Sequence, residues 1–119
     1  MMKRLFFIFF TMIAISFLSG CAGPGVNAYH RANTAFERGD YNGSFADYLY
    51  AAHQGVVPAQ YAVGYQYYYG LGTKRDEVKG IAWLEQAAVH SPRARYALHL
   101  INLKAPKTPW TYQLKKNYP

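Results

Sequence analysis

Past residue 28 the chain repeats a helical spacing of apolar and small side chains. From Tyr29 to Gly39, the residues Ala32, Ala35 and Phe36 share one face, and Gly39 ends the run. Asp40 is placed to cap a second helix, in which Phe45, Tyr48, Leu49 and Ala52 fall at i, i+3, i+4 and i+7. Gly55 closes that helix. Pro58 suits the first turn of a third, running to about Tyr69 with Ala59, Ala62, Val63 and Tyr67 as its inner stripe. Gly70 to Arg75 reads as a loop, and Asp76 caps a fourth helix through about His90. Ser91-Pro92 opens a fifth, with Ala94, Ala97, Leu98 and Ile101 on one side. Pro106 and Pro109 end helical structure, and Trp110, Tyr112 and Leu114 then alternate with period two. The prediction is an all-α fold, a short α-solenoid of about five helices in antiparallel pairs over residues 28–103. An extended tail over 104–119 follows it.

The pattern also recurs. Asp40, Ala46 and Ala51-Ala52 return as Asp76, Ala82 and Ala87-Ala88, and Ala59-Gln60-Tyr61-Ala62 returns as Ala94-Arg95-Tyr96-Ala97. A period near 35 with two helices per unit means stacked helix pairs, in which small residues let neighbours approach closely.

At Ala62-Val63-Gly64, Tyr67, Gly70, Gly72, Asp76, Trp83-Leu84 and Ala87-Ala88 the chain resembles the Sel-one-like repeat, a relative of the tetratricopeptide repeat. One nearly full unit spans about Pro58 to Ser91. Ala32 to Ala52 resembles the end of a preceding unit, and Arg93 to Leu103 the start of a third. Thr73, Gly80 and Ser91 depart from the usual Val, Ala and Gly, and Asp47 stands where Trp83 stands in the better unit. The resemblance implies a scaffold that binds other proteins, with the first helix of each pair lining a concave face. Trp83 is expected in the core, filling the gap left by Gly64.

Charge and chemistry change the picture mainly at the two ends. The 119 residues carry 13 Lys+Arg against 6 Asp+Glu, a formal charge of +7. That length allows one small domain and excludes a multidomain enzyme. A single cysteine excludes a disulfide framework and a thiolate metal cluster within one chain. Lys3-Arg4 precedes a largely apolar stretch, Leu5 to Leu18, too short to cross a hydrocarbon core of roughly 30 Å comfortably. That order of charge, apolar run and small residues is an export signal. Leu18-Ser19-Gly20-Cys21 then resembles the lipobox of bacterial lipoproteins, which implies cleavage after residue 20 and acylation of Cys21 with a palmitate-type lipid. Residues 21–27 would be a lipidated Gly/Pro tether. Ala22 after the cysteine implies outer-membrane sorting, with the domain on the periplasmic face.

Two groups of residues are candidate binding surfaces. Tyr61, Tyr65 and Tyr68, with Tyr69 beside them, lie off the apolar stripe of the third helix. They either pave a partner-binding groove or pack against the adjacent helix or the tail; the alternative of packing is the stronger for Tyr61 and Tyr67. Arg93, Arg95, Lys104, Lys107, Lys115 and Lys116 form a basic carboxyl end with no acid among them. That end could cap the solenoid, touch anionic lipid or cell-wall polymer, or offer an edge to a partner strand. Nucleic acid is not expected as a partner. His30, His53, His90 and His99 show no metal-ligand spacing, Asp40 and Asp76 read as helix caps, and no nucleophile or phosphate loop stands out. The expectation is a non-catalytic adaptor without cofactor or metal, apart from the lipid on Cys21. It would hold a protein or peptide in an envelope assembly such as a secretion or pilus system. The competing reading is a structural lipoprotein whose basic end grips cell-wall polymer or the membrane surface.

Overall fold

The computed structural model describes residues 22–104. Five helices follow in sequence: α1 (Pro24–Glu37), α2 (Tyr41–His53), α3 (Val57–Tyr69), α4 (Glu77–Ala88) and α5 (Pro92–Asn102). There is no strand among the described residues. Each helix packs on the next, and ring contacts give the direction. Tyr29 meets Tyr48 while Phe36 meets Tyr41, so α1 and α2 run antiparallel. The architecture is the expected all-α solenoid of helix pairs. Its period is visible in the helix starts, since α2 and α4 begin 36 residues apart and α3 and α5 begin 35 apart.

Most boundaries have a local cause that the sequence displays. The side chains of Asp40, Asp76 and Ser91 accept the backbone N–H of Gly43, Lys79 and Ala94 at 2.9, 3.0 and 3.2 Å. Each such cap stabilises its helix by about 0.5–2 kcal/mol. Prolines occupy the first turns of α1, α3 and α5, where their missing N–H costs nothing. Two boundaries differ from expectation. α4 ends at Ala88 rather than near His90, and α1 begins at Pro24 rather than at Ala28. The Gly/Pro stretch within 21–27 is therefore mostly helix and not a tether. Pro24 starts the helix, and Gly25 is buried where a Cβ would stand 2.6 Å from Gln54 Cβ at the end of α2. Cys21, residues 1–20, which the sequence reads as a signal, and residues 105–119, which it reads as a tail, lie outside the described residues.

The core falls into two clusters joined by α3. Ala28, Tyr29, Ala32, Tyr48, Ala51, Ala52, Ala59, Ala62 and Val63 pack between α1, α2 and α3. Tyr61, Tyr65, Tyr68, Leu84, Ala87, Ala94 and Ala97 pack between α3, α4 and α5. As the central rod, α3 buries residues on every side, from Ala59 through Gln66 and again at Tyr68. A helix of that kind has no solvent stripe.

Helices α3 and α4 approach each other at two glycines. A Cβ added to Gly64 would sit 2.8 Å from Leu84 Cγ and 2.9 Å from the Gly80 carbonyl oxygen; one added to Gly80 would sit 2.8 Å from the Gly64 carbonyl oxygen. The two backbones are in contact, and the departure from the usual Ala at position 80 is what permits it. The gap at Gly64 is thus filled by Leu84 and the Gly80 backbone. Trp83, expected there, is instead half-buried against the first cluster, its ring 5.2 Å from that of His53. A single residue step turns Leu84 about 100° round the helix from Trp83, enough to send them to different neighbours.

A buried amide ties the loop after α3 to α2. Gln66 is fully buried, and its Nε2 points at Ser44 Oγ (2.9 Å), the Tyr41 carbonyl (3.2 Å) and the Leu71 carbonyl (3.2 Å). Gly72 comes so close to Tyr41 that a Cβ would overlap its carbonyl, and its φ of 71° is one that a glycine adopts without strain. Substituting Gly64→Leu should wedge α3 from α4 at a cost of about 1–3 kcal/mol. Thermal unfolding should then shift down by about 4–8 °C per kcal/mol for a domain of this size. Val78→Leu, on the exposed face of α4, should leave the midpoint unchanged.

Candidate functional site

The described structure places the expected tyrosines inside. Tyr61, Tyr65 and Tyr68 are 1%, 5% and 8% exposed, and Tyr69 is half-buried beside them. Their rings form a chain of contacts, with Tyr65 to Tyr69 at 4.7 Å, Tyr68 to Tyr69 at 5.2 Å and Phe36 to Tyr65 at 6.3 Å. They do not pave an open groove. The physical reason is the position of α3: with α2 on one side and α4 and α5 on the other, residues off the Ala62/Val63 stripe face a second core. Tyr67, read as part of the inner stripe, is half-buried with its edge on Phe45 and Lys79 above its face.

The basic residues are likewise divided. Arg93 and Arg95 are two apart on α5, about 200° round the helix, and they do different work. Arg95 donates to the Ala88 carbonyl at 2.7 Å, capping the end of α4. The Arg93 guanidinium sits over the Tyr61 ring, 5.9 Å from its centroid, within cation–π range. Lys104 stands exposed past the far end of α5 with a φ of 52°, about 16 Å along the axis from Arg93. Among the described residues these charges do not make one patch. Lys107, Lys115 and Lys116 lie outside them.

What the structure does assemble is a cleft of about 830 Å³ at the amino-terminal ends of α3 and α5. α1 supplies Tyr29, His30 and Asn33, and α3 supplies Val57, Pro58 and Tyr61. The turn into α5 supplies His90, Ser91, Pro92 and Arg93. The helix macrodipoles of α3 and α5 add partial positive charge at this end. Asn33 braces the wall, accepting the Tyr48 hydroxyl at 2.6 Å and sharing a hydrogen bond with Tyr29. Burial pushes the phenols of Tyr48 and Tyr61 well above the ordinary tyrosine value, at Tyr61 against the opposing pull of Arg93. Burial also raises Tyr29, and its hydrogen bond to Asn33 and the charge of Arg93 partly offset this.

The remaining candidates for chemistry are accounted for by local structure. Asp40 and Asp76 are caps, Asp47 pairs with Arg31 at 2.8 Å, and Glu77 pairs with Arg75. No three His, Cys, Asp or Glu side chains stand close enough to hold a metal ion among the described residues. Of the cleft, sequence reasoning singled out Tyr61 and Arg93 and missed Tyr29, Asn33 and Val57. Those three lie 36 to 64 residues before Arg93 and are brought to it only by stacking the units. Gln66 was missed too; a lone polar residue between Gly64 and Tyr67 was the available signal.

Helices that pair, stack at a fixed period and leave a cleft on the face of α1, α3 and α5 define a helix-pair repeat protein. Residues 57–88, which cover α3, its loop and α4, match the family described as Sel1 repeat. That match is consistent with a Sel1-like, tetratricopeptide-related repeat protein, and such repeats generally mediate protein–protein interactions. Neither the curated proteins nor the solved structures gave a match.

The buried phenols make stability fall with alkali. Above about pH 10 the unfolded chain loses phenolic protons that the native chain retains at Tyr48 and Tyr61, so it binds fewer protons and rising pH favours it. The contribution is fully present below pH 10 and lost above it. Absorbance titration at 295 nm should show these two phenols ionising only with unfolding, and Tyr61→Phe should reduce the slope of midpoint against pH in that range.

Proposed function

We propose that this chain is a lipid-anchored, non-catalytic adaptor that holds a segment of a protein partner in the cleft between α1, α3 and the start of α5. In this reading the chain is exported, cleaved after residue 20, acylated on Cys21 and seated on the periplasmic face of the outer membrane. There it would serve an envelope assembly of the secretion or pilus kind. The cleft carries the reading. It is concave, walled by aromatic and apolar side chains with a few polar groups, and of a size that ligand sites commonly have. The Sel1 repeat supports a protein as its occupant. Support for the anchor comes from the charged start, the apolar run and Leu18-Ser19-Gly20-Cys21. Only Ala22 and Gly23 separate Cys21 from α1, so an acylated Cys21 would hold the fold within about 10 Å of the bilayer. Several acyl chains together make such an anchor stable.

Two measurements test this. Cys21→Ser should move the protein from the membrane fraction to the soluble one, and full retention in the membrane would refute acyl anchoring. A photo-crosslinking residue at His30 or His90, on the cleft rim, should capture a discrete protein from the envelope, whereas one at Val78 on the far side of α4 should not. Capture of cell-wall polymer or lipid alone from the rim would replace the adaptor with the structural alternative.

A further inference from the structure

We propose that residues 105–119 fold back along α5 and seat Trp110, Tyr112 and Leu114 on Tyr96, Leu100 and Leu103, closing the last unit of the stack. This goes beyond the adaptor reading and stands whatever occupies the cleft. The repeat itself marks the face. At the 35-residue offset between α3 and α5, Ala94 and Ala97 stand where Ala59 and Ala62 stand, and all four are buried. Tyr96, Leu100 and Leu103 likewise stand where Tyr61, Tyr65 and Tyr68 stand. In α3 those three positions are core, packed against residues of α4 and α5. On α5, the last described helix, Tyr96 is 41% and Leu103 63% exposed, with Leu100 half-buried between them. They fall at i, i+4 and i+7, one apolar stripe on the side of the helix away from Ala94 and Ala97. The end of a solenoid needs such a stripe covered.

An occupant seated as α4 is on α3 does not fit, because His99 stands in the place of Gly64, where the α3 and α4 backbones touch. An extended segment does fit, and the chain supplies one. Lys104 leaves α5 with a φ of 52°, the left-handed conformation that turns a chain out of its helix; Gly39, Gly55 and Gly70 adopt it after α1, α2 and α3. A lysine lacks the freedom of a glycine there and keeps that conformation where contacts hold it. Ala105 to Pro109 leave five residues for the return, and from Trp110 to Lys115 apolar and polar side chains alternate. Extended, Trp110 to Leu114 would span about 13 Å, against about 10 Å of helix from Tyr96 to Leu103. One face of the segment then meets the stripe, while Thr111, Gln113 and Lys115 turn to water. Because it is tethered, this occupant is present at a far higher effective concentration than a second copy of the chain.

The test uses the whole chain with Trp83→Phe, which leaves Trp110 as its single tryptophan. Trp110 should emit to the blue of its position in denaturant and be quenched by acrylamide several-fold less than there, and dilution should change neither. Leu103→Asp should move the emission to its denatured position while helix content holds. Tyr50→Asp, on the exposed side of α2, should not. A double-mutant cycle reads the same contact with Trp83 in place. Leu103→Ala and Trp110→Ala should each lower the thermal midpoint, and together by clearly less than the sum. A Trp110 as accessible as in denaturant, protection that survives Leu103→Asp, or midpoint shifts that simply add would overturn the proposal. Protection lost on dilution would overturn it too, by showing that a second copy covers the face.

Discussion

The structure depends on the direct contact of two backbones. With no side chain at Gly64 or Gly80, α3 and α4 meet at their main chains, and Leu84 lies in the space between them. That approach sets the spacing of the pair, and the spacing decides what else fits. The large rings of Tyr61, Tyr65 and Tyr68 can then lie flanking the contact against Leu84, Ala87, Ala94 and Ala97, small partners that accept them. A core assembled from tyrosine and alanine is dense in this way because one residue type supplies bulk and the other removes it.

Tyrosine in such a core carries a polar end, and the fold treats that end carefully. The Tyr48 hydroxyl donates a hydrogen bond to Asn33 Oδ1 across the α1–α2 pair, and Asn33 also meets Tyr29. Gln66 does comparable work one unit further on, joining α2 to the loop after α3 through Ser44, Tyr41 and Leu71. These bonds run between consecutive helices, within the first pair at Tyr48 and from one pair to the next at Gln66, so they fix the packing as apolar contact alone would not. Rigid stacking is what gives a repeat protein a binding face of fixed shape.

The cleft is a product of that stacking. Its walls come from the first helix of three successive units, and Arg93 reaches it because α5 begins where α1 and α3 present Tyr29 and Tyr61. The same helix sends Arg95 to the end of α4. The basic residues of α5 are therefore divided, Arg93 lining the cleft and Arg95 holding the helices together.

The sequence by itself determined the helices, their caps and their period. Those properties are local: Asp40, Asp76 and Ser91 bond to N–H groups three residues on, and prolines and glycines act on their own turn. The family resemblance was also legible, because Gly64, Tyr67, Gly70 and Gly72 keep a fixed spacing. Only the tertiary structure decided which face of α3 is inside. A periodic reading assigns one buried stripe to a helix, and α3 has neighbours all round, so Tyr61, Tyr65 and Tyr68 became core rather than surface. It also decided that Leu84 and not Trp83 meets Gly64, that the Gly/Pro stretch after Cys21 is the first turn of α1, and that Arg93 and Arg95 part company. Each of these follows from contacts between units, and contacts across a stack of helices are set by distances in space that no spacing along the chain records.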